Sequence, residues 1–121
     1  MNGDTVEALR LRIYVGEDKT TGGQPLYHAI VRQARSMHIA GATVIKGAEG
    51  YGRSTRLHTS DVLFSQDLPV VVEIVDLRER LEPLMAMLNG YGEIGLITCE
   101  PVELCGRGDP GHDTAAHTAG A

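Results

Sequence analysis

The feature that most constrains the fold is the order in which two hydrophobic periodicities alternate along the chain. Apolar residues at every second position are typical of strands with one buried face, whereas apolar residues three and four positions apart are typical of amphipathic helices. Strands are predicted at 9–15, 42–45, 68–75 and 94–104, and helices at about 24–40 and 76–88. The chain therefore has the order strand, helix, strand, strand, helix, strand.

With right-handed crossovers, this order predicts an α+β ferredoxin-like βαββαβ sandwich, a four-stranded antiparallel sheet with both helices on one face. The other face of the sheet is left without a covering layer, and Arg10, Arg12 and Tyr14 of the first strand lie on it. Because an uncovered sheet face with Val and Ile nearby usually acquires a partner, we expect the chain to form an oligomer.

Local signals refine the two helices. Pro25 is suited to the first turn of the first helix, and Gly41 stands where a left-handed cap would end it. Asp76 followed by Glu79 resembles a capping box at the start of the second helix. Pro83 conflicts with a regular helix there, so either residues 76–81 form a separate turn or the helix is kinked.

Length and charge limit the functional classes. The 121 residues fit one domain, predicted at 7–105, followed by a flexible tail at 106–121. The formal net charge of −5 argues against nucleic acid as a partner. The chain lacks an apolar run of about 18 residues and a signal-peptide pattern at its start, so we expect a cytoplasmic protein without direct membrane insertion.

Two cysteines are too few for a disulfide framework. Cys99 and Cys105 lack zinc-like spacing, and we interpret them as buried or incidental thiols. A disulfide between them requires the chain to turn back, which an extended segment from Glu100 to Leu104 would forbid. Pro101 indicates that this last strand lies at an edge of the sheet or carries a bulge.

A family resemblance rests on five segments that occur in order: LRIYVGE at 11–17, QPLYHAIV at 24–31, AGATVIKGAEGYG at 40–52, RLHTSD at 56–61 and DLPVVVEIVD at 67–76. Over residues 9–104 the chain resembles the uncharacterised PII-like branch related to the nitrogen-regulatory PII proteins. The resemblance implies a homotrimer that binds adenine nucleotides in clefts between subunits. It also implies signalling through a mobile loop between the second and third strands.

The first predicted ligand-binding segment contains Gly50, Tyr51, Gly52, Arg53 and Ser54. Its two glycines let the backbone approach a ligand closely, and the Arg53 guanidinium can bind a phosphate in bidentate fashion. The alternative for the glycines is a β-bulge or a bend in the strand.

The second predicted ligand-binding segment contains Gly90, Tyr91 and Gly92, where the resemblance places a phosphate-holding loop. The alternative is a helix C-cap and a tight turn. PII proteins carry a lysine where Glu93 stands, and a carboxylate repels a polyphosphate. We therefore expect AMP or ADP as the regulatory ligand rather than ATP, and no other cofactor. The resemblance also makes Arg107 a candidate phosphate ligand, with a solvated basic residue as the alternative.

The polar stretch at 53–67 is predicted to be the regulatory loop, in which Arg56, His58 and Thr59 contact a protein target. A membrane transporter is one candidate for that target. Residues 17–19, Glu-Asp-Lys, either touch the ligand or form a solvated loop.

Two other functions compete with regulation. Catalysis is disfavoured because the loop after the first strand is acidic, and no nucleophile has a base at convincing spacing, so we predict no catalytic residue and no enzyme. A divalent-metal-binding trimer resembling the cation-tolerance proteins is the alternative function. It would need ligands from His58, Cys99, His112 or His117, but no metal site is predicted.

Overall fold

A computed structural model of the chain describes residues 5–52, 55–59 and 68–106. Side chains are described throughout these ranges except at residues 51, 52 and 55–59, where the description is limited to the backbone. In chain order the strands are β1 (Val6–Gly16), β2 (Thr20–Thr21), β3 (Gln24–Pro25), β4 (Ala42–Lys46), β5 (Glu49–Gly52), β6 (Thr55–Thr59), β7 (Pro69–Asp76) and β8 (Leu96–Leu104). The helices are α1 (Leu26–Ser36), between β3 and β4, and α2 (Arg78–Leu88), between β7 and β8.

The main sheet has the strand order β4-β7-β1-β8, with every neighbouring pair antiparallel. β1 lies inside the sheet because it has a neighbouring strand on each side. Its register with β7 runs from Leu9 opposite Asp76 to Gly16 opposite Pro69. On its other side it pairs with β8. β4 and β8 are the edge strands of the described sheet, which confirms the ferredoxin-like topology and the edge position of Pro101.

A single aliphatic layer between the sheet and both helices forms the core. The odd-numbered residues of β1 from Leu9 to Val15 face this layer, and the helices add their residues at spacings of three and four. Its buried members from the sheet are Leu9, Leu11, Ile13, Val15, Val72 and Ile74, and from the helices Leu26, Ile30, Ala34, Leu81, Leu84 and Leu88. Burial of about 0.8 kcal/mol per CH₂ makes this layer the main favourable term in folding.

The end of α1 differs from the prediction. Pro25 occupies the N-cap rather than the first turn, and the helix ends at Ser36 instead of near residue 40. His38, not Gly41, adopts the left-handed conformation, with φ of 62°. The Ile39 amide donates to the Ala34 carbonyl at 3.1 Å, as in a Schellman motif. Burial of Ile39 in the core fixes this earlier cap.

The start of α2 also differs from the prediction. Leu77 is the N-cap, and Asp76 lies one residue before it, so the predicted capping box is wrong. The fully buried Asp76 carboxylate instead accepts hydrogen bonds from the Ala40 amide at 2.9 Å and the Leu77 amide at 2.7 Å. Pro83 lies on the exposed face within one continuous helix, which excludes a separate turn at 76–81.

Two hairpins lie outside the predicted strands. β2 and β3 are joined by Gly22 and Gly23, whose φ values of 56° and 81° suit a two-residue turn. β5 and β6 pair antiparallel with a register shift near Gly50 and Gly52, so a strand forms within the predicted loop 53–67. Residues 60–67 of that loop lie outside the described ranges.

The last strand settles the arrangement of the thiols. Cys99 and Cys105 are both exposed, which excludes buried thiols and leaves the alternative of incidental ones. The extended strand between them prevents a bridge within the chain, as predicted. The predicted tail beyond Gly106 lies outside the described residues, and the domain bounds stay a prediction. Within the described ranges no helix is both long and apolar enough to cross a membrane.

Candidate functional site

The two predicted ligand-binding segments lie at the same end of the sheet but at opposite edges. At this end β4 leads into β5, whereas the turn at residues 90–95 leads into β8. β7 and β1 lie between those edge strands. With strands about 4.8 Å apart, the edge strands are separated by about 14 Å. One chain therefore presents the two segments as separate halves of a candidate site, at opposite edges of this end of the sheet.

The first half is closely packed onto Pro69. A Cβ added at Gly47 would lie 2.8 Å from the Pro69 Cγ, and one at Gly50 would lie 3.1 Å from the same atom. The Gly47 amide also donates to the Pro69 carbonyl at 2.7 Å. Gly50 thus has a packing reason to be glycine, and its contact with a ligand stays a prediction.

The second half is a turn that follows α2. The Gly90 amide donates to the Met87 carbonyl and the Tyr91 amide to the Leu88 carbonyl, both at 3.0 Å. Tyr91 is partly buried against the core. No described atom lies within 4 Å of a Cβ added at Gly92. Gly92 therefore leaves open space at its backbone, whereas the Tyr91 ring is already engaged in packing.

Four charged residues connect the two halves, and we call them the charge row: Lys46, Glu17, Lys19 and Glu93. The Lys46 Nζ lies 2.7 Å from a Glu17 carboxylate oxygen, and the Lys19 Nζ lies 3.8 Å from a Glu93 oxygen. A reverse turn in which the Lys19 amide donates to the Gly16 carbonyl at 3.2 Å joins the two pairs. The signs alternate across the end of the sheet and sum to zero.

Lys46 makes the shorter ion pair of the charge row. The hydrogen bond that Lys46 donates to Glu17, together with the electrostatic contributions of Glu17 and Tyr27, raises the pKa of Lys46 above 10.5. Its ammonium also lies 5.8 Å from the centre of the Tyr27 ring, within the range of a cation–π contact. Lys46 therefore stays protonated at neutral pH and is oriented toward Glu17.

Sequence reasoning found only part of this arrangement. It considered residues 17–19 as a ligand contact or a solvated loop, but it missed Lys46, which is 29 positions away from Glu17. Nothing in the spacing predicts that pair. It arises because the sheet brings the end of β4 and the end of β1 to the same side of the molecule.

Several predicted site residues cannot be placed in this geometry. Arg53, Ser54 and Arg107 lie outside the described residues, as do His112 and His117. The backbones of Tyr51, Gly52, Arg56, His58 and Thr59 belong to the β5–β6 hairpin. In the described part of the chain, no three His, Cys, Asp or Glu residues are grouped to hold a metal ion.

The open face of the sheet carries a charged centre with apolar surroundings. Arg12 lies opposite Glu73 in the register, with 3.2 Å between the Arg12 Nε and a Glu73 oxygen. Arg10 lies opposite Glu100 and is hydrogen-bonded to it. Exposed apolar side chains on this face are Val6, Tyr14, Ile45 and Leu96. Compensated charges and exposed apolar groups together suit contact with another protein surface.

Comparison with known proteins places the chain in a family. The model of DUF190, described as "Uncharacterized ACR, COG1993", matches residues 8–104. The chain belongs to the DUF190 family. A DUF190 relative, the UPF0166 protein of Aquifex aeolicus (strain VF5), is 35% identical over 95 residues, which cover 78% of this chain and 90% of that protein.

Solved PII-like structures share the fold of this DUF190 member. CPII from Thiomonas intermedia K12, a nitrogen regulatory PII-like protein bound to ADP, AMP and bicarbonate, aligns with a TM-score of 0.62 over 83% of this chain and 90% of its own. A putative PII-like signalling protein from Thermus thermophilus also aligns with a TM-score of 0.62, over 84% and 92%. Both are 13% identical to the chain, so the likeness concerns the fold. The predicted likeness to the PII-like fold is confirmed.

Proposed function

We propose that this DUF190 protein is a cytoplasmic PII-like regulator that binds an adenine nucleotide between the subunits of a homotrimer. AMP or ADP is preferred over ATP. Nucleotide occupancy changes the loop 53–67, which then binds or releases a protein target, with a membrane transporter as one candidate. The protein has no catalytic role in this proposal.

The observation that carries the proposal is the position of the two glycine segments at opposite edges of one sheet end. When copies associate edge to edge, the β4 edge of one copy comes close to the β8 edge of the next, which completes a cleft from two halves. The open face, with its exposed apolar groups and compensated charges, supports association between copies of the chain. The ADP and AMP bound to CPII support an adenine nucleotide as the ligand of this cleft.

The charge row supports the preference for fewer phosphates. Its two lysines are already paired with Glu17 and Glu93, so the row offers no net positive charge to a ligand. Each further phosphate adds negative charge beside these carboxylates, and like charges repel. A monophosphate or diphosphate has less of this repulsion to overcome than a triphosphate.

The test is isothermal titration of the purified protein with AMP, ADP, ATP and cyclic AMP. The variants are Arg53→Ala and Gly92→Ala, with Gly41→Ala as the matched control at the opposite end of β4. An alanine Cβ has open space at both Gly92 and Gly41, so neither change disturbs the described packing. A lost phosphate contact at Gly92 is expected to weaken binding by roughly tenfold, equivalent to about 1.4 kcal/mol.

Saturable binding of AMP or ADP that weakens in both site variants, but not in Gly41→Ala, supports the proposal. ATP binding at least about tenfold tighter than AMP would contradict the ligand preference. Light scattering that gives a monomer would remove the cleft between subunits, and binding to none of the four nucleotides would refute the sensor function.

A further inference from the structure

The charge row raises the question of how an anionic ligand gains access to its lysines. Each ammonium has its own carboxylate, Glu17 for Lys46 and Glu93 for Lys19. Any phosphate that binds at this end of the sheet must therefore compete with a carboxylate that is already in place. This competition, which rests on the proposed function, is the step at which ligand binding can change the hydrogen bonding of the protein.

Glu17 also holds together the two ends of the segment that carries the β5–β6 hairpin. Its backbone amide donates to the Leu68 carbonyl at 2.8 Å, and its carboxylate accepts from the Lys46 ammonium at 2.7 Å. Next to these contacts, the Gly47 amide donates to the Pro69 carbonyl at 2.7 Å. We call these three hydrogen bonds the clamp. The two bonds of Glu17 fasten both ends of residues 47–68 to the residue that follows β1, and the Gly47 bond joins those two ends to each other.

The two partners of the ion pair, Lys46 and Glu17, are held to different extents. Its side chain is 52% exposed and ends a flexible four-carbon stem, whereas the Glu17 side chain is 23% exposed and its backbone is fixed to Leu68. A competing anion will therefore move the lysine rather than the glutamate. An exposed carboxylate–ammonium pair is weak, and a phosphate with more charge and more acceptor oxygens replaces the carboxylate readily.

We propose that Lys46 and Lys19 receive the phosphate oxygens of the bound nucleotide, and that Glu17 is the competitor which the phosphate displaces from Lys46. Displacement removes the side-chain bond of the clamp and leaves its two backbone bonds. The base of residues 47–68 then opens more often when the ligand is bound. Glu17 is thus a positioning residue that links phosphate binding to the regulatory loop.

The experiment measures amide hydrogen exchange of Gly47 by NMR, with and without saturating ADP. It compares the wild type, Glu17→Gln and the control Glu103→Gln. Glu103 is an exposed carboxylate at the other end of the sheet, so both variants lose the same charge. The Glu17→Gln change is expected to speed Gly47 exchange about two- to fivefold without ligand, the range expected for one exposed ion pair.

In the wild type, ADP is expected to speed Gly47 exchange by a similar factor, and in Glu17→Gln it should add little. Titration should show ADP bound about two- to fivefold more tightly by Glu17→Gln, because the competing carboxylate is gone. Glu103→Gln should match the wild type in both measurements. A second variant, Lys46→Gln, should also speed Gly47 exchange but should weaken ADP binding.

The outcomes separate this inference from the proposed function. If ADP binds and Gly47 exchange does not change, the link through Glu17 is wrong and nucleotide binding stands. Unchanged ADP affinity in both Glu17→Gln and Lys46→Gln would also overturn the assignment of Lys46. If neither ADP nor AMP binds the wild type, both the proposed function and this inference fail.

Discussion

The buried Asp76 carboxylate allows a sharp prediction about stability. It joins two segments that are distant in sequence, because one oxygen accepts from the Ala40 amide before β4 and the other from the Leu77 amide at the start of α2. Asp76→Asn keeps the shape of the side chain but replaces one acceptor oxygen with an NH₂ donor. One of the two backbone amides must therefore lose its partner.

The magnitude follows from two contributions. An amide left without an acceptor costs about 1–3 kcal/mol. Removing a negative charge beside the N-terminus of α2 costs about 0.3–1 kcal/mol more through the helix dipole. Asp76→Asn should therefore lower the free energy of unfolding by about 1–4 kcal/mol, and Asp76→Ala by at least as much because it also leaves a cavity.

The assay is urea unfolding at one fixed protein concentration, since the stability of an oligomer depends on concentration. The midpoint should fall without a change in the m-value. Asp18→Asn, in the exposed turn after β1, is the control and should change stability by less than about 0.5 kcal/mol. If Asp76→Asn lowers the free energy of unfolding no more than the control does, the assignment of Asp76 as the link between these segments is refuted.

Three further predictions follow from other contacts. Gly47→Ala should destabilise the protein by about 1–3 kcal/mol in the same assay, because its Cβ would lie 2.8 Å from Pro69 Cγ; unchanged stability would contradict that packing. Pro83→Ala should raise the free energy of unfolding by about 1 kcal/mol or more by restoring a helical hydrogen bond, and a lower value would count against it. NMR titration should place the pKa of Lys46 above 10.5 and show a lower value in Glu17→Gln. Because this pKa is raised in the folded state, the ion pair stabilises the protein below pH 10.5 and is lost as pH rises through the raised value.

The regular parts of the fold could be predicted because local pattern and topology agree. The period of two from Leu9 to Val15 is the buried face of β1, and the helical spacing of Leu81, Leu84 and Leu88 is the buried face of α2. The prediction failed where a tertiary contact decides the local structure. Burial of Ile39 moves the end of α1 away from Gly41, and the bond to Ala40 removes Asp76 from its expected capping position.

The hairpins and the charge row were missed for different reasons. The Gly22–Gly23 pair between two short polar segments is a recognised hairpin signal, so β2 and β3 could have been predicted from the sequence. The pairing of Glu17 with Lys46 was not, because it depends on how the end of β4 is placed beside the end of β1. Site geometry that is built from separate strands has no local signature in the sequence.

The exposed positions of Cys99 in β8 and of Cys105 directly after it have a consequence for handling the protein. Cys99 and Cys105 are the chain's two cysteines, and six extended residue steps separate their Cα atoms by about 20 Å, far beyond the roughly 7 Å that a disulfide tolerates. Air oxidation can therefore join one molecule to another but cannot close a loop within one molecule. Preparations without a reductant should accumulate covalent multimers in a non-reducing gel, and the native assembly should be measured with the thiols kept reduced.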